Sequence, residues 1–149
     1  GRPGLRLATY PRRRENPLCD HKTMNYMLQR QAADWAKANG ADEAILLNTD
    51  GTVSETNTAN LLCRIGGRLV RPSSAHVLPG TMEQAVVRLL DRWGMEVATE
   101  AIALEDLKRA ECVYATNALM GVVPVAAIDG SAIAMDQAFA EKINEALLA

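Results

Sequence analysis

Residues 43–65 read EAILLNTDGTVSETNTANLLCRI, and this stretch decides the fold. Glu43–Leu47 is a short apolar run of strand length. Asn48-Thr49-Asp50-Gly51 is a turn, with Asp-Gly its strongest signal. Val53–Glu55 returns as a second strand, and Asn60–Ile65 pairs with Arg68–Arg71 around Gly66-Gly67. Upstream, Leu5–Thr9 alternates as a half-buried strand, and Tyr10–Asp20, with Pro11, Pro17 and three arginines, is a loop. A helix then presents Met24, Met27, Leu28, Gln31, Ala32 and Trp35 on one face and stops at Asn39-Gly40. Downstream, Thr81 opens a second helix with Met82, Ala85, Val86, Leu89, Leu90 and Trp93 on one face, closed by Gly94. Met95–Thr99, Glu111–Thr116 and Val122–Ile128 read as strands and Ala103–Ala110 as a short helix. Asp136 caps a final helix. Hairpins interleaved with helices predict an α/β chain with an α+β-type mixed sheet, not a doubly wound parallel one.

The 149 residues fit one domain. Sixteen basic and 18 acidic side chains leave a net charge of −2, which gives no electrostatic reason for a nucleic-acid or membrane-surface partner. Arg12, Arg13 and Arg14 form the one basic run and read as a solvated loop. Cys19, Cys63 and Cys112 are scattered without zinc-site spacing, so no metal is expected. An odd set of this kind suits reduced thiols in the cytoplasm. Cys63 and Cys112 lie in apolar runs and read as core. No run approaches the about 18 apolar residues of a transmembrane helix. There is no signal-peptide pattern. The sequence opens at Gly1, directly before a strand, as a piece of a longer chain would.

Three places could carry chemistry. Pro79-Gly80-Thr81-Met82 is a helix start, where free N–H groups and the helix dipole favour an anion and Gly80 permits close approach. Glu55 sits at a strand end inside the polar cluster Thr52–Asn60, where a fixed carboxylate can face a cation. Thr116-Asn117 is a polar step at another strand end. Lys22 lies just before the first helix. A functional lysine there needs a lowered pKa, from burial or neighbouring positive charge.

Taken in order, these places resemble a family. His21-Lys22-Thr23-Met24-Asn25-Tyr26, Ala41-Asp42-Glu43-Ala44, Gly51-Thr52-Val53-Ser54-Glu55-Thr56 with Ala59-Asn60-Leu61, Pro79-Gly80-Thr81, and Thr116-Asn117-Ala118-Leu119-Met120-Gly121 look like the signature of the class IV aminotransferases. These are the fold-type IV pyridoxal-phosphate enzymes, which include branched-chain aminotransferases, D-amino-acid transaminases and aminodeoxychorismate lyases. The resemblance runs from about Leu5 to about Ile128. It implies that residues 1–149 are the large C-terminal, cofactor-binding domain, with the family's small N-terminal domain absent from this chain. It implies pyridoxal 5'-phosphate as cofactor, a small-molecule amine as substrate and a homodimer.

By the same resemblance, Lys22 is the catalytic residue, attached to the cofactor and moving protons once substrate displaces it. Glu55 faces the pyridine nitrogen and keeps it protonated, which makes the ring a better electron sink. Tyr26 lies near the cofactor phenolate. Gly80, Thr81 and Met82 hold the phosphate through backbone N–H groups, and Thr116 with Asn117, or the backbone around them, completes the cup. Asn117–Val125 (NALMGVVPV) resembles the aminodeoxychorismate lyase version of this loop. The short spacing from Lys22 to Asn25-Tyr26 suits lyases and D-amino-acid transaminases, while Tyr26 itself leans toward transaminases. The expected reaction is release of pyruvate and 4-aminobenzoate from 4-amino-4-deoxychorismate, a step of folate biosynthesis. An aminotransferase acting on branched-chain or D-amino acids is the alternative, and a catalytically incompetent cofactor-binding piece is a third.

Overall fold

A computed structural model describes residues 4–13, 22–74 and 80–148, with residues 22–25 described by their backbone alone. Arg14, Cys19, His21, Pro79 and the side chain of Lys22 therefore lie outside the described residues.

The strands are β1 (Leu5–Thr9), β2 (Glu43–Leu47), β3 (Val53–Thr56), β4 (Asn60–Ile65), β5 (Arg68–Pro72), β6 (Val97–Glu100), β7 (Cys112–Asn117), β8 (Gly121–Ile128) and β9 (Ser131–Ala132). The helices are α1 (Lys22–Ala38), α2 (Thr81–Arg92), α3 (Leu104–Lys108) and α4 (Gln137–Leu148). One sheet holds every described strand in the order β3-β2-β1-β8-β7-β4-β5-β6, with β9 paired to β8. It is mixed: β1 runs parallel to both β2 and β8, β5 runs parallel to β6, and the other pairs are antiparallel.

A distance argument fixes the shape of this sheet. β3 and β4 stand five strand-to-strand steps apart in the order, about 24 Å in a flat sheet. Residues 57–59 join them, and four residue steps span at most about 14 Å. The sheet must therefore curl until β3 returns to β4, where the Thr56 N–H donates to the Ala59 carbonyl at 2.9 Å. The concave side encloses Leu7, Ile45, Val53, Leu61, Val113 and Val125, among other buried apolar residues. α3 packs Leu107 into this interior, and the convex side carries the other three described helices. α2 and α4 cover Leu62, Tyr114 and Val122, and α1 covers Tyr10, Ala44 and Leu46.

Helix ends follow the sequence. Gly40 (φ 75°) and Gly94 (φ 76°) take the left-handed conformation that ends α1 and α2. In each case the following residue bonds back into the helix, Ala41 N–H to Ala36 O and Met95 N–H to Leu90 O. That use of Met95 explains why β6 starts at Val97 rather than at the expected Met95. Asp136 caps α4 through the Phe139 N–H at 3.1 Å. Lys22 is the first residue of α1 instead of the residue before it. The buried face of α1 is Leu28, Ala32, Trp35 and Ala36, with Trp35 edge-on to Tyr10 at 5.6 Å. Met27 and Gln31, expected on that face, are exposed. The two alanines bring α1 close to β2, which narrows the contact and leaves the flanking positions outside it. Cys63 and Cys112 are buried as expected, and burial pushes the Cys63 thiol up to about 12. The two-residue strand β9 was not foreseen. It is made by the Asp129-Gly130 turn, whose residues both have positive φ (50° and 81°).

Asp129 also ties β1 to β8. Its carboxylate accepts from Thr9 N–H and Thr9 Oγ1, each at 2.7 Å, and pairs with Lys108 Nζ at 3.2 Å. Burial raises its pKa, but the hydrogen bonds from Thr9 and the charge of Lys108 outweigh that and hold it below the ordinary value. A depressed folded-state pKa contributes stability above the unfolded value, about 3.9, and that stability is lost as pH falls through the folded value. Urea midpoints measured from pH 7 down to pH 2 should fall through the acid range, and Asp129→Asn, which keeps the turn conformation, should flatten that decline.

Candidate cofactor site

The polar residues singled out in the sequence gather at one end of the curled sheet. Glu55 reaches its place through an irregularity. In the β2–β3 ladder Leu47 pairs with Val53 and Leu46 with Glu55, so Ser54 is skipped. Regular alternation from the core residue Val53 would aim Glu55 into the concave interior. The bulge sets it opposite Leu46, on the face covered by α1. Glu55 is buried, with 8% of its surface exposed. No feature of the sequence signalled this bulge. A buried amide braces it: Asn48 Nδ2 donates to the Val53 carbonyl at 3.3 Å, and Asn48 Oδ1 accepts from Ser74 Oγ at 2.8 Å, which lies 3.0 Å from Ser54 Oγ.

The start of α2 is open. Gly80 occupies the N-cap in extended conformation, and among the described residues no side chain caps the helix. The first N–H groups of a helix have no intrahelical partner, so those of Thr81 and Met82 are available to an anion. Glu83 stands in the first turn and accepts from the Gly80 N–H. Burial pushes its carboxyl up, against the pull of Arg71, whose Nη1 lies 3.3 Å from Glu83 Oε1. A Cβ at Gly80 would run into Asn60 Oδ1, so glycine allows the helix start to sit directly on β4.

Thr116 and Asn117 close β7. Thr116 Oγ1 is fully buried and has no hydrogen-bond partner among the described residues. Its side chain lines a void of about 10 Å³ with Glu83, Val86 and Val87 under the first turns of α2. A buried hydroxyl left without a partner costs about 1–3 kcal/mol, so a polar partner beside it would be stabilising. Asn117 is committed differently. Its Oδ1 accepts from Leu119 N–H (3.0 Å) and Met120 N–H (2.7 Å), and its Nδ2 donates to the Thr58 carbonyl (3.4 Å). The side chain shapes the turn and joins it to the β3–β4 loop, which leaves backbone groups as what the turn can offer a ligand. Tyr26, on the first turns of α1, is 61% exposed. Arg12 and Arg13 are exposed, and the Arg13 guanidinium lies against Gly51 in the β2–β3 turn.

The structure thus brings Glu55, the open α2 start and the Thr116–Asn117 turn to one rim, beside the helix that Lys22 begins. A carboxylate for a ring nitrogen, an uncapped helix start for a phosphate and an unpartnered buried hydroxyl beneath it suit pyridoxal phosphate. Among the described residues there is no group of His, Cys, Asp or Glu that could hold a metal ion, and no helix is long and apolar enough to cross a membrane.

The family model described as amino-transferase class IV matches residues 2–128. The chain belongs to that family. Branched-chain-amino-acid aminotransferase-like protein 2 of Arabidopsis thaliana is 31% identical over 133 residues, covering 87% of this chain and 24% of that protein. The T.th. branched-chain amino acid aminotransferase solved with pyridoxamine 5'-phosphate is 29% identical with a TM-score of 0.86, over 97% of this chain and 50% of that one. A Legionella pneumophila structure described as a candidate 4-amino-4-deoxychorismate lyase has a TM-score of 0.87 at 24% identity, over 99% and 56%. The chain spans about half the length of those solved chains, and less of the first relative.

The turn that follows Asn117 is held from outside by α4. Asn144 Oδ1 accepts from Val122 N–H at 2.8 Å and its Nδ2 donates to Val122 O at 2.9 Å. Gly121 has φ 72°, and a Cβ there would sit 2.6 Å from Asn144 Oδ1. Gly121→Ala should cost about 1–2 kcal/mol from the left-handed backbone alone, plus the clash. Asn144→Ala removes the clash. Chemical denaturation of both single variants and the double variant should therefore show the double losing less than the sum of the singles; strict additivity would refute the contact.

Proposed function

We propose that this chain is the C-terminal, cofactor-binding domain of a pyridoxal-phosphate enzyme that acts on a primary amine, in a cytoplasmic homodimer completed by an N-terminal domain. The observation that carries the reading is the Ser54 bulge, which sets the buried Glu55 carboxylate on the α1 face, beside the helix that starts at Lys22. The branched-chain relative solved with pyridoxamine 5'-phosphate supports the cofactor.

When bound, the cofactor supplies an electron sink for charge developing on the amine-bearing carbon of the substrate. Glu55 would hold a proton at the pyridine nitrogen. The N–H groups of Thr81 and Met82 would bind the phosphate, with Gly80 permitting the approach. Thr116 Oγ1 and the backbone after Asn117 would close the same end, and Tyr26 would lie near the phenolate oxygen. Lys22 Nζ is the attachment point and then the base.

We assign the reaction as 4-amino-4-deoxychorismate lyase. Lys22 Nζ takes the proton from the amine-bearing carbon. The ring C–O bond breaks, the electrons of the lost C–H bond make the ring aromatic 4-aminobenzoate, and the departing enolpyruvate takes up one proton, matching the one removed, and tautomerises to pyruvate. The run Asn117–Val125, which resembles the lyase form of this loop, supports that choice. Transamination of branched-chain or D-amino acids is the second reading, favoured by the names of the curated relatives. It would use the same residues up to proton removal, and would differ in where Lys22 Nζ delivers that proton.

Two measurements decide. Incubating the full-length protein with 4-amino-4-deoxychorismate should release pyruvate, measured with lactate dehydrogenase. Release of none, together with turnover of an amino acid plus 2-oxoglutarate, would establish the transaminase instead. Lys22→Ala should abolish the visible absorbance of the bound cofactor, and a retained band would end the Lys22 assignment.

A further inference from the structure

Glu55 lies between two backbone irregularities, the Ser54 bulge before it and the loop of residues 57–59 after it. The second is tied down by a carboxylate with no part in the chemistry above. Glu43, at the start of β2, is 8% exposed. Its Oε1 accepts from Thr56 Oγ1 at 2.5 Å and from Thr58 Oγ1 at 2.8 Å. Thr56 Oγ1 accepts in turn from the N–H groups of Ala59 (2.8 Å) and Thr58 (3.3 Å). Next to it, Asn57 exchanges bonds with Ala44: Asn57 N–H donates to Ala44 O at 3.1 Å and Asn57 Oδ1 accepts from Ala44 N–H at 2.7 Å. The loop is thereby strapped to β2 at Asn57 and Thr58 and to Thr56 of β3 at Ala59, and the Thr58 carbonyl passes the constraint to Asn117 Nδ2.

A buried carboxylate is costly, and apolar replacements at such places are often neutral or stabilising. Glu43 does what an apolar residue could not. One anionic oxygen gathers two hydroxyls, and hydrogen bonds to an ionised acceptor are shorter and stronger than neutral ones. Its two donors flank the segment that follows Glu55 directly, and the same segment touches the turn that carries Thr116 and Asn117.

We propose that Glu43 is a positioning residue of the cofactor site: through Thr56 and Thr58 it fixes the end of β3 and the Asn117 turn, and so sets where Glu55 and the phosphate end stand, without touching the cofactor. The proposal rests on the assignment of Glu55 to the pyridine nitrogen.

Thr58 makes the test clean, because it is exposed and its replacement leaves the core alone. In the full-length holoprotein, the dissociation constant for pyridoxal phosphate and the pH midpoint of the bound cofactor's absorbance are measured for Glu55→Gln, Glu43→Gln, Thr58→Val and Thr58→Ser. Glu55→Gln should move the midpoint. Glu43→Gln and Thr58→Val should move it in the same direction by less and weaken binding by about tenfold, the scale of one hydrogen bond to a charged group. Thr58→Ser, which keeps the hydroxyl, should restore both values. If Glu43→Gln does not fold, the Thr58 pair carries the test alone. A midpoint moved by Glu55→Gln but unmoved by Thr58→Val overturns the positioning role and leaves the Glu55 reading intact, as does a Thr58→Ser variant no better than Thr58→Val. A midpoint unmoved by Glu55→Gln overturns the Glu55 reading and the proposal together.

Discussion

Residues 57–59 join two strands that stand five places apart in one sheet, and most of the structure follows from that short connection. A flat sheet would need about 24 Å between those strands, more than the loop can reach, so the sheet curls. Curling makes an inside and an outside. The inside fills with branched aliphatic residues from β1, β2, β4, β7 and β8. The outside takes α1 on one flank and α2 with α4 on the other. It also brings the ends of β3 and β7 together, which is why Thr58 and Asn117, 59 residues apart, share a hydrogen bond.

The candidate site is a consequence of that closure. Its acidic side chain, its open helix start and its terminal turn come from three separate parts of the chain and meet because the sheet returns on itself. The acidic side chain and the terminal turn are braced from behind by groups that take no part in chemistry. Asn48 and the serines support the bulge before Glu55. Glu43 supports the loop after it. Asn144 supports the strand after the Asn117 turn. The polar groups on the rim are thus placed by hydrogen bonds, some to backbone and some between side chains, which holds them more tightly than packing of flexible side chains would.

The elements themselves were largely legible in the sequence. Strand and helix periods located β2, β4 and α2 at their observed limits or within a residue of them. The two glycine stops at Gly40 and Gly94 and the Asp136 cap worked because they are local: each needs only a left-handed residue or a carboxylate within a few positions. Three features escaped. Met95 has the apolar character of a strand residue, but its N–H bonds to Leu90 O and so belongs to helix termination. β9 is two residues long and exists only because the Asp129-Gly130 turn folds it onto β8. The buried face of α1 was drawn too wide, since alanines at positions 32 and 36 let the helix sit closer to β2 than the apolar count suggests.

The division between sequence and structure is clearest at the site. By itself, the sequence determined the mixed α/β composition, the order of the elements and, through the run of motifs from Lys22 to Gly121, the family. Those depend on local periodicity and on residue order, which a linear reading contains. Only the tertiary structure decided which way Glu55 faces, because alternation from Val53 points it inward and the skipped Ser54 turns it outward. Only the structure showed that Asn117 spends its side chain on its own turn and that Glu43 straps the loop beside Glu55. A bulge is a mismatch between two strands, and a strap is a bond across two loops. Neither is a property of any single stretch of chain, so neither is written in one.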